Sequence, residues 1–294
     1  MPIKTKLSQV GKKMTPLVVL DACSILNLLR IDDEDSDFLL KLIRNWRVCL
    51  PETVFKETKL HVRSESYTKE KNDHILIAIN QDFDHRKTLD SVIKKDLGEE
   101  EFERIVKFSG HNKRENGELF CVALALSKSR EEETLVTIYT DDYKAIDEFR
   151  ELCRYHHIGE FGDTLDLLTQ LYWLTPEKVF QNSLYYSFLE NLRAEFNHQL
   201  KEVADAIDGY LNQQKKSRCN DRNLLENLGK IVTGYRRSDV DQMDAGVRFF
   251  QEGNKYKEVR KMVENVDVKN VNCQTQRITE RLRKLKEYPI FKLA

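Results

Sequence analysis

The chain has 294 residues, and its 48 Lys and Arg residues nearly balance its 49 Asp and Glu residues, for a formal net charge of −1. A hydrophobic content of 40 % can supply a buried core, which excludes a chain that is disordered throughout. The balanced charge argues against a protein that binds polyanions over its whole surface, although it leaves local basic patches open.

The sequence pattern gives no sign of a membrane or secretory segment. No apolar run reaches the ~18 residues of a membrane span, and the opening MPIKTKLSQVGKKM is basic and polar. The six cysteines are scattered without a CxxC pair, which favours reduced thiols over a disulfide framework or a zinc site. We therefore expect a cytoplasmic protein with no membrane partner.

Short β-branched runs alternate with helical patterns in the first half of the chain. The runs cover residues 17–20, 47–50, 135–139 and 157–158. Such alternation predicts βαβ units and a parallel sheet. Between the second and third runs, residues 56–114 carry apolar positions at helical spacing and are predicted to form several helices.

The pattern changes near residues 175–176, after which no proline occurs until Pro289. Apolar residues recur every three or four positions from Phe180 to Leu211, which predicts one long amphipathic helix. A linker is expected at residues 215–223, and shorter helices are expected near residues 224–232, 240–250, 255–266 and 277–288. We predict an α/β domain over residues 14–174 and an all-helical region over residues 176–294.

Acidic residues follow the strand-like runs or begin the neighbouring helices. They are Asp21, Asp141, Asp142 and Asp163 after the runs, and Glu57 and Glu118 at helical starts. In an open parallel sheet, ligands bind beyond the carboxyl ends of the strands. Clustered carboxylates repel one another unless they are protonated or paired, and Mg²⁺ or Mn²⁺ takes oxygen ligands. The pattern therefore predicts a divalent-metal site able to hydrolyse a phosphodiester.

Five segments resemble, in order, the motifs of the PIN-domain nucleases. The segments are VVLDACSILNLL, LPETVFKET, NGELFCVALAL, TIYTDDYKA and FGDTLDLL, over roughly residues 14–173. The resemblance implies a three-layer α/β/α domain with a central parallel sheet that cleaves RNA, in preference to DNA, with Mg²⁺ or Mn²⁺. Two features depart from the compact members of the family: the stretch between Glu57 and Glu118 is longer, and the helical second half has no counterpart in the small toxin-type members.

Carried over residue by residue, the resemblance implies that Asp21, Glu118 and Asp141 are the catalytic metal ligands. The further candidates for metal-ligand or supporting roles are Glu57, Asp142 and Asp163. Because adjacent residues point in different directions, we expect Asp141 to be the ligand and Asp142 its helper. Thr164 is an alternative cap for the helix that follows Asp163, which would leave Asp163 free to face the cleft.

Four further residues are candidates for substrate binding. Ser24 and Thr140 carry hydroxyls that could bind a substrate phosphate or orient a ligand carboxylate. Lys113 and Arg114 lie directly before Glu118 and could hold a phosphate, or be solvated loop charges.

Each candidate also has a plain structural interpretation. Asp21 could cap the helix that begins near Ser24, and Glu118 could interact with the dipole of its own helix. The adjacent pair His156 and His157 is interpreted as a surface pair. The tail over residues 276–294 holds six basic residues against two acids; it suits an RNA backbone, or it is an ordinary charged helix face.

The leading hypothesis is a metal-dependent endoribonuclease. The main alternative is a catalytically silent PIN-like scaffold that binds a protein partner, or a second copy, through its helical half. A phosphatase of the haloacid dehalogenase type would need an acid two residues after Asp21, where Cys23 stands. A phospho-accepting receiver domain is disfavoured because no lysine follows its late strand at a fitting position.

Overall fold

The computed structural model describes residues 17–31, 46–64, 69–108, 115–174, 182–264 and 266–287. It divides the chain into two compact units, Met1–Trp173 and Leu174–Ala294. The first is a mixed α/β unit and the second is helical, so the predicted α/β class with a helical second half is confirmed. Among the helices of these ranges, none combines the length and the apolar character needed to cross a bilayer.

Parallel strands alternate with helices along the first unit. Its described elements are β1 (Leu17–Leu20), α1 (Ala22–Ile31), β2 (Arg47–Pro51), α2 (Glu52–Ser64), α3 (Lys69–Phe83), a 3₁₀ turn (Asp84–Arg86), β3 (Lys87–Thr88), α4 (Asp90–Leu97), α5 (Glu99–Phe108), α6 (Gly117–Glu132), β4 (Val136–Tyr139), α7 (Tyr143–Tyr155), β5 (Phe161–Gly162) and α8 (Thr164–Leu174). The predicted set of helices between the second and third strand runs is therefore confirmed.

The five strands form one sheet in the order β3-β2-β1-β4-β5, and all four neighbouring pairs are parallel. In the register, Val18 pairs with Val48 on one side and with Thr137 on the other. β1 is buried along its whole length, as expected for a central strand whose sequence is continuously apolar. Helix α6, whose residues 117–126 are almost all buried, packs against β1, β2 and β4.

Three of the four predicted strands are confirmed, and the fourth was misplaced. The last strand is Phe161–Gly162 rather than residues 157–158, because His157 lies in the turn that follows α7 and donates its N–H to the Arg154 carbonyl. The chain then passes through Gly159 at φ +153°, where an added Cβ would collide with the Val136 carbonyl oxygen. Only glycine allows this close approach of the backbone to β4.

Five helices make up the described part of the second unit: α9 (Asn182–Lys216), α10 (Arg222–Arg237), α11 (Val240–Glu252), α12 (Lys257–Val263) and α13 (Val268–Glu287). The predicted long helix is confirmed as α9, which at ~1.5 Å per residue is about 52 Å long. Its C-terminal half packs with α10, α11 and α12 around a core that includes Ile207, Leu228, Val247 and Val259.

Gly234 permits the close packing between α10 and the start of α11. A Cβ at this position would lie 2.6 Å from the Met243 backbone nitrogen and 2.9 Å from the Asp239 carbonyl oxygen. Because backbone atoms cannot move aside cheaply, we expect Gly234→Ala to lower the free energy of unfolding of the helical unit by about 1–3 kcal/mol.

Gly229→Ala is the matched control, since Gly229 lies on the same helix with nothing within 4 Å of an added Cβ. That variant should be more stable by up to ~1 kcal/mol through helix propensity. Denaturation followed by circular dichroism, with hydrogen exchange of α10 to assign the transition, measures both. Equal effects of the two substitutions would contradict the packing argument.

Candidate functional site

The candidate site lies where the strand order changes direction, between β1 and β4. Asp21 directly follows β1, and residues 140–142 directly follow β4. The Asp21 N–H donates to the Tyr139 carbonyl at 3.0 Å, and the Thr140 N–H donates to the Gly162 carbonyl at 3.0 Å. The sheet thus aligns the two strand ends at one edge, which is the usual ligand position in such sheets.

Asp21 is buried at this edge with its carboxylate already oriented. Its Oδ2 accepts hydrogen bonds from Thr140 Oγ1 at 2.9 Å and from Cys23 Sγ at 3.1 Å. Burial raises the pKa of Asp21, and these two hydrogen bonds act in the opposite direction. The Thr140 hydroxyl also accepts from the Asp142 N–H at 3.1 Å. Of the two roles predicted for Thr140, these contacts suit orienting a carboxylate better than binding a substrate phosphate.

Two glutamates from helices approach the same place. Burial, and then the charge of Asp21, raise the pKa of Glu57, on α2, to about 7. Burial, and then the charges of Asp21, Asp142 and Glu57, raise the pKa of Glu118, in the first turn of α6, to about 7. Because the charge of Asp21 acts on both glutamates, and the charges of Asp142 and Glu57 also act on Glu118, we call these four residues the acidic cluster.

Asp141 points away from solvent and joins three elements. Its Oδ1 accepts from the Thr164 N–H at 2.9 Å, and its Oδ2 accepts from Asn27 Nδ2 at 2.8 Å and from the Thr164 hydroxyl. Burial, and then the charge of Asp163, raise the pKa of Asp141 to about 6. Since both oxygens are already bonded within the protein, Asp141 holds α1 and α8 against the end of β4. Its predicted role as a ligand stays a prediction.

The two remaining aspartates cap helices. Asp142 Oδ1 accepts from the Lys144 N–H at 2.8 Å at the start of α7. Asp163 Oδ1 accepts from the Asp166 N–H at 2.8 Å at the start of α8, and Asp163 is only 2 % exposed. The interpretation of Thr164 as the cap of α8 was therefore wrong, because its hydroxyl donates to Asp141 instead.

Of the four predicted substrate-binding residues, the structure describes Ser24 and Thr140. Ser24 is fully buried on α1, and its hydroxyl has no hydrogen-bond partner within the described ranges. Lys113 and Arg114 lie outside the described residues.

Sequence reasoning missed two residues that hold the site together. Cys23 donates to Asp21, and its sulfur accepts from the Asp141 N–H at 3.0 Å; burial and the charges of Asp21 and Asp141 keep its pKa well above the usual value, so it is a neutral thiol. Asn27 binds Asp141 from the buried side of α1. The available signal was that Asn27 is a polar residue within the apolar run SILNLL.

Within the described ranges, no three His, Cys, Asp or Glu side chains form a preassembled metal site. No family model, curated protein or solved structure matches this chain. The function must therefore be argued from the geometry and the charge of the residues themselves.

The basic C-terminal helix offers less free charge than its sequence suggests. Arg283 pairs with Glu280 at 2.7 Å and also with Glu287. Lys284 pairs with Glu280 at 3.5 Å, and Lys286 lies 5.3 Å from the centre of the Tyr186 ring. Its predicted RNA contact stays a prediction, but most of these cations already have partners within the helical unit.

Gly117 controls the position of Glu57. The Gly117 N–H hydrogen-bonds the Glu57 carboxylate, and an added Cβ would collide with Glu57 Oε2. We expect Gly117→Ala to push this carboxylate towards solvent and to lower the pKa of Glu57 from about 7 towards its ordinary value of 4.5. Carbon-detected NMR titration of the carboxyl groups measures the change. Gly209→Ala is the control and should leave the pKa of Glu57 unchanged, since nothing lies within 4 Å of an added Cβ at Gly209. If the pKa of Glu57 stays near 7 in Gly117→Ala, this placement of Glu57 is wrong.

Proposed function

We propose that the chain is a Mg²⁺- or Mn²⁺-dependent endoribonuclease, built on a three-layer PIN-like α/β domain and followed by a helical region. One observation carries the proposal, the acidic cluster: Asp21 and Asp142 lie just after β1 and β4 at the switch point, and the charge of Asp21 helps to raise the pKa of both Glu57 and Glu118, which come from distant parts of the chain. The five motifs that resemble the PIN-domain family support it, because their acidic residues supply every member of this cluster.

The chemistry of the acidic cluster fits a hard divalent cation. All four side chains offer oxygen atoms, and the pKa values of Glu57 and Glu118 are raised first by burial and then by neighbouring negative charge, both of which a bound cation would offset. Because no preassembled site exists in the described residues, binding would require the half-buried Glu57 and Glu118 side chains to rotate towards Asp21. When bound, Mg²⁺ or Mn²⁺ would stabilise negative charge on the phosphodiester and favour ionisation of the attacking water.

The chain's own residues divide the remaining work. Asp21, oriented by Thr140 and Cys23, provides the fixed carboxylate. Glu57 and Glu118 have pKa values of about 7, so either can accept a proton near neutral pH. Asp142 uses one oxygen to cap α7. Asp141 fixes the end of β4 through its hydrogen bonds from Asn27 and Thr164.

A second candidate is a PIN-like scaffold without catalysis, which would bind partners through its helical half. The observation that favours it is the helical unit, a separate compact body with its own core. A scaffold does not need neighbouring acids that repel one another, however. Such a cluster lowers the stability of the folded protein, and proteins retain such costs mainly at functional sites.

Incubation of the purified chain with matched single-stranded RNA and DNA tests the proposal. With Mn²⁺ or Mg²⁺ we expect internal cuts in RNA that leave 5′-phosphate and 3′-hydroxyl ends, and no cuts in EDTA. Cyclic 2′,3′-phosphate ends, or cleavage that persists in EDTA, would indicate a contaminating metal-independent nuclease. No cleavage with either metal ion would favour the scaffold.

A further inference from the structure

Among the described residues of the helical unit, two segments that contact each other carry a large excess of positive charge. Residues 215–222 and 255–261 together contain eight Lys and Arg residues and two acidic residues, a net charge of +6 in a chain whose net charge is −1. The first segment is the end of α9 with the turn into α10, and the second is the loop before α12 with most of that helix.

These two segments are in direct contact. The Asp221 carboxylate accepts from Lys255 Nζ at 2.8 Å and from the Tyr256 hydroxyl at 2.9 Å. The other acid, Glu258, hydrogen-bonds Tyr210 on α9. Both acids of the region are thus engaged by neighbouring groups, and most of the cations remain uncompensated.

Within the described ranges, no carboxylate lies within ion-pair distance of six of these cations, which we call the basic patch: Lys215, Lys216, Arg218, Arg222, Lys257 and Lys261. Other basic residues of the same helices do have such partners, for example Lys201 with Asp205 at 2.5 Å and Lys230 with Glu226 at 2.9 Å. The basic patch therefore differs from an ordinary helix face whose charges alternate.

Aromatic rings stand beside the basic patch. Lys255 Nζ lies 4.9 Å from the centre of the Tyr256 ring, which packs 6.0 Å from the ring of Phe249. Phe249 is 36 % exposed. The patch residue Lys257 directly follows Tyr256 in the sequence. A basic patch next to a partly exposed aromatic pair suits single-stranded nucleic acid, in which phosphates alternate with bases that can stack.

A membrane surface fits this region less well. Two of the three apolar residues of α12, Val259 and Val263, face the core, and the third, Met262, is a single side chain that is 37 % exposed. Its outer face carries Lys257, Glu258 and Lys261. An interfacial helix would instead present an apolar face to the acyl chains.

We propose that the basic patch is a docking site for the phosphate backbone of single-stranded RNA. The inference rests on the proposed function, because it names a second place at which the helical unit holds the same substrate. Binding there would keep an RNA attached to the chain between encounters with the acidic cluster and would raise the effective concentration of its cleavable bonds.

The test measures RNA binding apart from cleavage. A labelled single-stranded RNA is titrated in EDTA with the full chain carrying Asp21→Asn, by fluorescence anisotropy over a range of salt concentrations. Adding Lys216→Gln, Arg218→Gln, Lys257→Gln and Lys261→Gln should weaken binding about 10- to 100-fold near 0.1 M salt. It should also reduce the slope of log Kd against log salt by about 3, since each phosphate contact on a single strand contributes ~0.7.

The matched control removes four paired cations from the same unit: Lys201→Gln, Lys230→Gln, Lys269→Gln and Lys284→Gln. It has the same net charge as the patch variant, and its Kd should stay within about threefold. An equal loss in both variants, or no loss in the patch variant with its fold intact by circular dichroism, would overturn the proposal. A patch variant that loses binding to phosphatidylserine vesicles but binds RNA as before would also overturn the proposal.

The two proposals fail in different ways. RNA that binds through the basic patch but is not cut with Mn²⁺ by the chain bearing the natural Asp21 would remove the nuclease and leave the docking site. Cleavage of long RNA at an unchanged KM in the patch variant would remove the docking site and leave the nuclease.

Discussion

Asp21→Asn is expected to reduce metal-dependent RNA cleavage by about 1000-fold, the order of magnitude lost when a group that stabilises the transition state is removed. Asparagine keeps the size of the side chain and an oxygen that can still accept from Thr140. It removes the negative charge at the centre of the acidic cluster, which acts on both Glu57 and Glu118. The loss should therefore appear in the rate constant at saturating RNA, with the fold unchanged by circular dichroism.

Asp147→Asn provides the matched control, because Asp147 lies on α7 with a side chain that is 73 % exposed. It should cleave RNA at the rate of the unmodified protein. Asp141→Asn is a poorer test, since the amide nitrogen that replaces one carboxylate oxygen donates and cannot accept the hydrogen bond from Thr164 or Asn27, and loss of stability would confuse the result. Full activity of Asp21→Asn would remove Asp21 from the reaction.

The stability of the α/β unit is expected to fall as the pH rises from 5 to 8 in EDTA. Glu57 and Glu118 have a pKa of about 7 in the folded protein and 4.5 in the unfolded chain. Between these values the folded state holds more protons than the unfolded state, so their contribution is fully present below 4.5 and is lost as the pH passes 7. Each pKa unit corresponds to ~1.4 kcal/mol, and solvent screening of these half-buried groups reduces the total to about 1–3 kcal/mol.

Thermal unfolding at a series of pH values measures this effect. Glu118→Gln should flatten the profile and should be more stable than the unmodified protein at pH 8, because it removes one repelling charge. The described carboxylates of the α/β unit whose pKa is lowered, Asp84 and Glu131, start from ordinary values of 3.8 and 4.5, so they change stability only at lower pH. A profile of the unmodified protein that rises between pH 5 and 8 would show that the acidic cluster is not destabilised by ionisation.

The sheet was largely predictable because the sequences of its central strands are recognisable without knowledge of their neighbours. The run at residues 17–20 is continuously apolar and lies in the centre of the sheet, where both faces are covered. β3, with two residues, has no such signal, because its existence depends on pairing with Leu50 and Pro51. The start of β5 was predicted too early in the chain. Gly159, a single glycine with a positive φ, decides where the chain enters this strand.

The site was predictable in its membership but not in its arrangement. Acids after strands can be identified from the sequence, since strand ends converge on one edge. Whether Asp141 or Asp142 faces the cluster depends on Asn27 and Thr164, which contact Asp141 from distant parts of the chain. The approach of Glu57 to the start of α6 depends on Gly117, 60 positions later (117 − 57), and no local pattern records that contact.

Calorimetric titration of Mn²⁺ into the full chain at pH 7.5 tests whether the acidic cluster is a cation site. We expect saturable binding with release of protons from Glu57 and Glu118, seen as a dependence of the heat on the ionisation enthalpy of the buffer. Glu118→Gln should weaken the affinity at least about tenfold, and Asp147→Asn should leave it unchanged. Binding that is absent, or that is equal in the unmodified protein, Glu118→Gln and Asp21→Asn, would show that these carboxylates do not hold the ion.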